Sequence, residues 1–150
     1  MNEVYRQVSG EGEAYLGYVD EDGKVHEHKS ESDKRVGKVD LESGKIYEAR
    51  IGPDKNIGYV DLQNGKIYYA ASGEEEPVGR VDDQGNLYDY KALAPGERLG
   101  RVKDMLSLAH GAGGFLLLLI PAIDEQAAKN NIKVAFDDPA TNTGNAGAPA

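Results

Sequence analysis

The chain repeats one short cassette, and this repetition constrains its fold more than any other feature. A glycine that stands two positions before a valine recurs five times, at intervals of 20, 21, 21 and 21 residues. The glycines are Gly17, Gly37, Gly58, Gly79 and Gly100, and the valines are Val19, Val39, Val60, Val81 and Val102. Such a period indicates units that cannot bury their apolar side chains alone and must pack against their neighbours. We therefore interpret residues 1–104 as one domain of five repeats.

The first four copies have the sequence of a β-hairpin. Each valine is followed by a turn that begins with aspartate and ends with glycine, residues that favour tight hairpin turns. A short second strand then pairs an aliphatic residue with tyrosine or histidine. These second strands are Val25-His26, Ile46-Tyr47, Ile67-Tyr68 and Leu87-Tyr88. We expect Tyr47, Tyr68 and Tyr88 to pack across strands, and the position of Tyr18 and Tyr59, which is basic in the other copies, to be more exposed.

The fifth copy lacks a second strand, because Val102 is followed by Lys103-Asp104 and no turn. Val4-Tyr5 has the sequence of an unpaired second strand and precedes Leu16 by 12 residues, where the same interval is 11 or 12 in the other copies. Pairing the two would remove an exposed sheet edge. The sequence thus predicts a mainly β fold: a closed, propeller-like, five-fold ring of hairpins, which the N-terminal strand completes and an apolar C-terminal helical segment follows.

The cassette also resembles a known family. The pattern Val36-Gly37-Lys38-Val39-Asp40 with Gly44-Lys45-Ile46-Tyr47, repeated around a ring, is similar to the β-flower repeat proteins of bacteria. The resemblance covers residues 4–103 and implies a five-fold ring and a bacterial source. It carries over no catalytic or binding residue, and the truncated fifth copy departs from the pattern.

Composition excludes several classes of function. The formal net charge is -9, whereas nucleic-acid binding needs clustered lysine and arginine. There is no cysteine, so disulfides and thiolate metal sites are excluded. The sequence from Met1 to Arg6 has neither the basic nor the apolar region of a signal peptide, and we expect a cytoplasmic location.

The chain shows no motif for catalysis. It contains no serine elbow, phosphate loop or His-Glu zinc motif, so we expect no enzymatic activity and no cofactor. His26 and His28 would project from one strand face and could bind a metal with Asp33, but the charged surroundings favour a surface strand. Turn formation accounts for Asp20, Asp40, Asp61 and Asp82 without calcium. The sequence therefore predicts no metal site.

Residues 105–123 contain no acidic residue, lysine or arginine. We expect residues 105–136 to form an apolar helical segment, then a short helix that stops at Asn131 and a strand from Ile132 to Phe136, with residues 137–150 disordered. Gly111, Gly113, Gly114 and Pro121 interrupt the apolar run, which also fits a buried hairpin or helix pair. The predicted partner or membrane contacts are Phe115, Leu116, Leu117, Leu118, Leu119 and Ile120.

Two functions remain open at this point. The first is a non-enzymatic scaffold or binding module that self-associates or binds a protein through residues 105–123, unless this segment caps the ring. The alternative is a sensor of membranes or apolar ligands. The basic residues Arg98, Arg101 and Lys103 precede the segment and acidic Asp124 and Glu125 follow it, which would keep the ring on the cytoplasmic side.

Overall fold

The structure is a computed structural model that describes residues 1–8, 12–70, 76–90 and 96–137, with the backbone alone over 130–137. It divides into two compact units, residues 1–120 and 121–150. The strands are β1 (Asn2–Val8), β2 (Gly12–Val19), β3 (Lys24–Lys29), β4 (Ser32–Val39), β5 (Lys45–Glu48), β6 (Lys55–Val60), β7 (Lys66–Tyr69), β8 (Gly79–Val81), β9 (Asn86–Asp89) and β10 (Arg98–Lys103). The helical elements are α1 (Leu108–Gly114), a π-helical turn (Phe115–Leu119) and α2 (Ile120–Asp137).

The ten strands form a closed antiparallel barrel in which each strand pairs with its neighbours along the chain, and β1 pairs with β10. The predicted pairing of the N-terminal strand with the fifth copy is therefore present, with Val4 opposite Val102 and Tyr5 opposite Arg101. Arg101 also reaches across β1 and donates from Nη2 to Oε1 of Glu13 at 2.8 Å. Closure leaves no edge strand in the barrel to recruit another chain.

The register follows one rule around the barrel. The inward aliphatic residue of each second strand lies opposite the valine of its own hairpin on one side and the glycine of the following repeat on the other. Ile46, for example, lies opposite Val39 and Gly58. At the junction of the two chain ends, Val4 lies opposite Val102 and Gly17. The interior therefore carries a layer of valines near the hairpin turns and a layer of glycines farther from them.

A second regular bond joins successive repeats. In four of the five repeats the backbone N–H of the inward valine donates to the carbonyl of the turn glycine of the preceding hairpin, as from Val39 to Gly23 at 2.8 Å and from Val102 to Gly85 at 2.7 Å. At Gly65 the turn has a φ of 78°, a conformation that only glycine adopts without strain. The turns are thus bonded to the neighbouring repeats as well as to their own strands.

Residues 108–119, which we call the central helix, lie in the barrel interior. Ala109 to Leu119 are all buried, and α1 contacts β1, β2, β4, β6 and β8. Gly113 and Gly114 lie so close to the strands that a Cβ would lie 3.0 Å from Val39 and 2.6 Å from Val4. Glycine therefore permits the helix to approach the strands here. The predicted apolar helical segment is present and continues through these glycines, so the alternative of a buried hairpin or helix pair is not observed.

The π-helical turn faces the glycine layer. Phe115, Leu116 and Leu117 lie against Gly79, Gly58 and Gly37 in turn, so three consecutive side chains fill the space that three successive repeats leave open. A π-helical turn rotates less per residue than an α-helix. It also precedes Pro121, which has no N–H to donate and whose ring would clash with a carbonyl four residues earlier in a regular α-helix.

The second unit is described through α2 alone. Its helix continues to Asp137, so the predicted stop at Asn131 and the strand from Ile132 to Phe136 are wrong. A helix that has started gains a hydrogen bond with each added residue, and a five-residue alternation with no strand partner does not compete with it. Lys129 and Glu125 form an i, i+4 ion pair at 3.4 Å. Most of the predicted disordered tail, residues 138–150, lies outside the described residues.

Candidate functional site

The residues predicted to contact a partner or a membrane lie mainly inside the barrel. The five side chains of Phe115–Leu119 are at most 5% exposed, and Ile120 is half-buried. In this structure they form the core of their own chain and not a surface. Among the alternatives that the sequence left open, packing of this segment against the ring matches the observed placement.

His26 and His28 do not converge on a common site. His26 Nε2 lies 3.3 Å from Oδ2 of Asp20, whereas His28 Nδ1 lies 2.7 Å from Oδ1 of Asp33. Their rings pack against Tyr18 and Tyr15 respectively. Within the described ranges, no three histidine or acidic side chains are grouped closely enough to hold a metal ion.

The outer wall carries five cross-strand pairs, one at the same register position of each hairpin. They are Tyr18 with His26, Lys38 with Tyr47, Tyr59 with Tyr68, Arg80 with Tyr88, and Arg101 with Tyr5. Two pairs stack ring on ring at 4.6 and 4.9 Å between centroids. In the other three a cation lies 4.5 to 5.4 Å from the centre of a tyrosine ring, within the range of cation–π attraction. The predicted cross-strand packing of Tyr47, Tyr68 and Tyr88 is confirmed, while Tyr18 and Tyr59 are half-buried.

The first aspartate of each turn holds its own loop together. Asp82 Oδ1 accepts the backbone N–H groups of Gln84 and Asn86, both at 2.9 Å, and its Oδ2 accepts the Tyr88 hydroxyl at 3.1 Å. Burial acts to raise the pKa of Asp82, but bonds from the backbone and side chain of Asn86, from Gln84 and from Tyr88 outweigh it and leave the pKa below its ordinary value. The turn interpretation of these aspartates is confirmed at all four turns.

We expect Asp82→Asn to lower the free energy of unfolding at pH 7 by about 1 kcal/mol, because an amide cannot replace every bond that the carboxylate accepts. The depressed pKa means that this stabilisation is present above the unfolded-state pKa and is lost as pH falls through the folded-state value. The difference from wild type should therefore shrink between pH 7 and pH 3 in urea denaturation. Asp83→Asn, at the exposed neighbouring position, is the matched control, and an equal loss in both variants would contradict the role of Asp82.

The start of the central helix is fixed to the end of the barrel that carries the hairpin turns. Asn2, which is fully buried, donates to the Val19 carbonyl at 2.8 Å and accepts the Leu106 N–H at 2.7 Å. His110 Nε2 lies 3.1 Å from the Glu21 carbonyl, which can only accept, so Nε2 carries the proton. In the neutral ring Nδ1 then accepts from the Ser107 hydroxyl at 2.7 Å. These bonds join β1, the first turn and the helix.

The same end of the barrel exposes apolar side chains. Leu41 and Leu62 occupy the position after the aspartate in two successive turns and are 37% and 38% exposed, and Leu106 is 58% exposed. We call this end, formed by the four turns, Met1 and residues 104–106, the turn face. It contains a hollow of about 560 Å³ whose lining includes Asp22, Lys38, Leu41, Glu42 and Tyr47. A neighbouring hollow of about 400 Å³ is lined by Met1, Asp20, Glu21 and Asp22.

Sequence reasoning did not single out the turn face. The repeated leucine in Asp40-Leu41 and Asp61-Leu62 was the available signal, because a leucine at the tip of a tight turn has few neighbours to cover it. The bond between Asn2 and Leu106 and the bond between His110 and Glu21 had no local signal, since they join residues 104 and 89 positions apart in the chain.

Two further findings bear on function. By length and composition Leu108–Lys129 is long and apolar enough to cross a membrane, and 61% of its most apolar window is buried inside the structure. No family model, curated protein or solved structure matches the chain.

Proposed function

We propose that this chain is a non-enzymatic β-repeat scaffold that binds a protein partner on its outer surface. The observation that carries the proposal is the central helix, which occupies the barrel interior with eleven consecutive buried residues, 109–119. A barrel that carries a small apolar ligand needs an open cavity. Here the chain's own phenylalanine and leucines fill that space, so binding is assigned to the outside.

We further propose that the barrel is a five-fold ring of the β-flower type. Three repeated features support this. They are the placement of each second-strand aliphatic residue opposite a valine and a glycine, the cross-strand pair on the outer wall, and the bond from the valine N–H to the carbonyl of the turn glycine. The first two occur five times, including at the junction of β1 and β10, and the third occurs four times. A ring of equal units presents similar turns side by side, which suits a contact surface.

The burial of Phe115–Leu119 also changes the predicted mode of association. Apolar side chains that already pack in their own core give no energy to a contact between subunits unless the helix leaves the barrel. We therefore propose that the full chain is a monomer in water and that residues 105–123 serve the fold.

Sedimentation velocity and liposome flotation of the full chain test the proposed function. We expect one species near 16.2 kDa that stays at the bottom of the flotation gradient with zwitterionic and with anionic vesicles. Flotation with vesicles would overturn the proposal in favour of the membrane-associated alternative.

A further inference from the structure

We infer that the turn face docks a basic segment of a partner protein that also carries large apolar side chains. This inference rests on the proposed function and names the chemistry of the partner and the place where it binds.

The apolar side chains of the turn face lie at the same end of the barrel, two of them on successive turns. Leu41 packs beside Gly23 of the preceding turn, and Leu62 packs beside Gly44 in the same way, at 3.3 and 3.5 Å from where a Cβ would stand. Leu106 is held next to Asn2 by its backbone bond. Of the six large apolar residues that are exposed in the described part of the chain, four lie here: Met1, Leu41, Leu62 and Leu106. Exposed apolar groups gathered at one end indicate a contact surface.

The charge around these side chains decides which partner fits. The four turns, residues 20–23, 40–44, 61–65 and 82–85, contain eight acidic residues and no lysine or arginine. The first aspartate of each turn is engaged with its own loop, while Glu21, Asp22, Glu42 and Asp83 are exposed. Three lysines directly follow the turns, Lys24, Lys45 and Lys66, and Lys38 precedes the second turn. Lys66 lies over the Tyr90 ring and Lys38 over the Tyr47 ring. The residues of the turns themselves are therefore acidic, with lysines beside them.

The two hollows suit basic side chains with long aliphatic stems. Asp22 lines both, and Leu41 and Glu42 line the larger one, where Lys38 lies over the Tyr47 ring. A lysine or arginine of the partner can pack its methylene groups on Leu41 while its charge meets Asp22 or Glu42. The turns are already fixed by bonds to the neighbouring repeats, so little conformational entropy is lost when a partner binds.

Charge disfavours the other occupants. A second copy of this chain would bring a like-charged face and a net charge of -9 against the first, and an anionic membrane would repel the same carboxylates. A basic segment gains from both the apolar centre and the acidic surroundings.

Fluorescence anisotropy with the full chain and three labelled synthetic peptides tests this inference. The first peptide is a 14-residue amphipathic helix of leucine and lysine, the second replaces each lysine with glutamate, and the third replaces each leucine with serine. We expect binding of the first in the micromolar range, no binding of the second, and at least tenfold weaker binding of the third. If the first and third peptides bind equally well, nonspecific charge attraction alone explains the binding, and the inference is overturned.

Variants place the binding on the turn face. The double variant Leu41→Ser with Leu62→Ser, and the triple variant Glu21→Gln, Asp22→Asn and Glu42→Gln, should each weaken binding of the leucine–lysine peptide about tenfold, and the triple variant should also reduce its salt dependence. Ile51→Ser and Glu125→Gln are the controls, because Ile51 is a fully exposed apolar residue in the loop before β6 and Glu125 is an exposed acid on α2. All altered side chains are exposed, and unchanged thermal melts would verify that each variant is folded.

The outcomes separate the inference from the proposed function. If no peptide binds, or if the control variants weaken binding as much as the turn-face variants, the inference fails. The proposed scaffold function would still be supported if the chain is monomeric and does not bind vesicles. If the wild-type chain self-associates and the two leucine substitutions abolish this, a second copy is the occupant and the inference is overturned. If the chain floats with vesicles, both the proposed function and the inference are contradicted.

Discussion

A chain that ends at Asp104 should show no cooperative unfolding transition. It retains all ten strands but loses Phe115–Leu119, and burial of each such side chain stabilises a fold by about 2 kcal/mol. Their sum of roughly 10 kcal/mol is comparable to the whole stability of an ordinary domain. The valines and other aliphatic residues that line the barrel would face an unfilled interior. Circular dichroism during urea denaturation should give a broad, non-sigmoidal change.

The matched control is a chain that ends at Lys129. It retains the central helix and all of the first unit, residues 1–120, and loses only residues beyond those whose side chains are described. We expect a sigmoidal transition within about 1 kcal/mol of the full chain, because every side chain that fills the barrel is kept. A cooperative transition in the chain that ends at Asp104 would show that the barrel folds without its helix, and the proposal of a filled interior would then lose its basis.

Phe115→Ala should be the most destabilising single truncation in the central helix. The ring is fully buried and faces Gly79, where no Cβ is present to move into the vacated space. Replacing a buried phenylalanine by alanine typically costs about 4 kcal/mol, since it removes apolar contacts and leaves a cavity. The quantity to measure is the free energy of unfolding from urea denaturation, with the slope checked for an unchanged unfolded state.

Two comparisons make this result specific. Leu106→Ala removes a large apolar side chain that is 58% exposed and should change stability by no more than about 0.5 kcal/mol. Phe115→Leu keeps much of the volume and should cost less than about 2 kcal/mol. If Phe115→Ala and Leu106→Ala were equally mild, Phe115 would not be part of the core.

The cassette predicted the closed, mainly β arrangement because its signals are local and repeated. A turn that begins with Asp61 and ends with Gly65 can be recognised from five residues of sequence, and similar spacing in the other copies indicates the strands on either side. The pairing of Val4 with Val102, although 98 residues apart, followed from counting intervals between copies. Because the cassette repeats, a pairing between distant strands could be predicted from local sequence patterns.

The central helix could not be placed in the same way. The apolar run of Phe115 to Ile120 indicates burial but not the surface against which it is buried. The same sequence would suit a protein core, a contact between subunits or a membrane. Gly113 and Gly114 read as helix breakers because glycine has low helix propensity. Glycine is favoured at these positions because a Cβ would lie very close to Val39 or Val4. Those valines are near the helix only once the barrel has closed.

The turn face was missed for a related reason. Leu41 and Leu62 look like ordinary strand-flanking residues until the turns are seen side by side with Leu106, which comes from a different part of the chain. The aspartates of the same turns were correctly interpreted, since their bonds go to backbone groups two to four residues away. Local chemistry was predictable, and the juxtaposition of separate segments was not.

The position of the central helix in the chain has a consequence for how the protein is made. Synthesis proceeds from the N-terminus, so the ribosome releases all ten strands before it releases the residues that fill them. Until residue 119 has emerged, the nascent strands have apolar faces with nothing between them, and β1, which can already pair with β2, lacks its second partner β10 until about 100 residues later. Contacts so distant in sequence also form slowly. A molecular chaperone that shields these strands during translation would therefore act at the stage when the chain is most prone to aggregate.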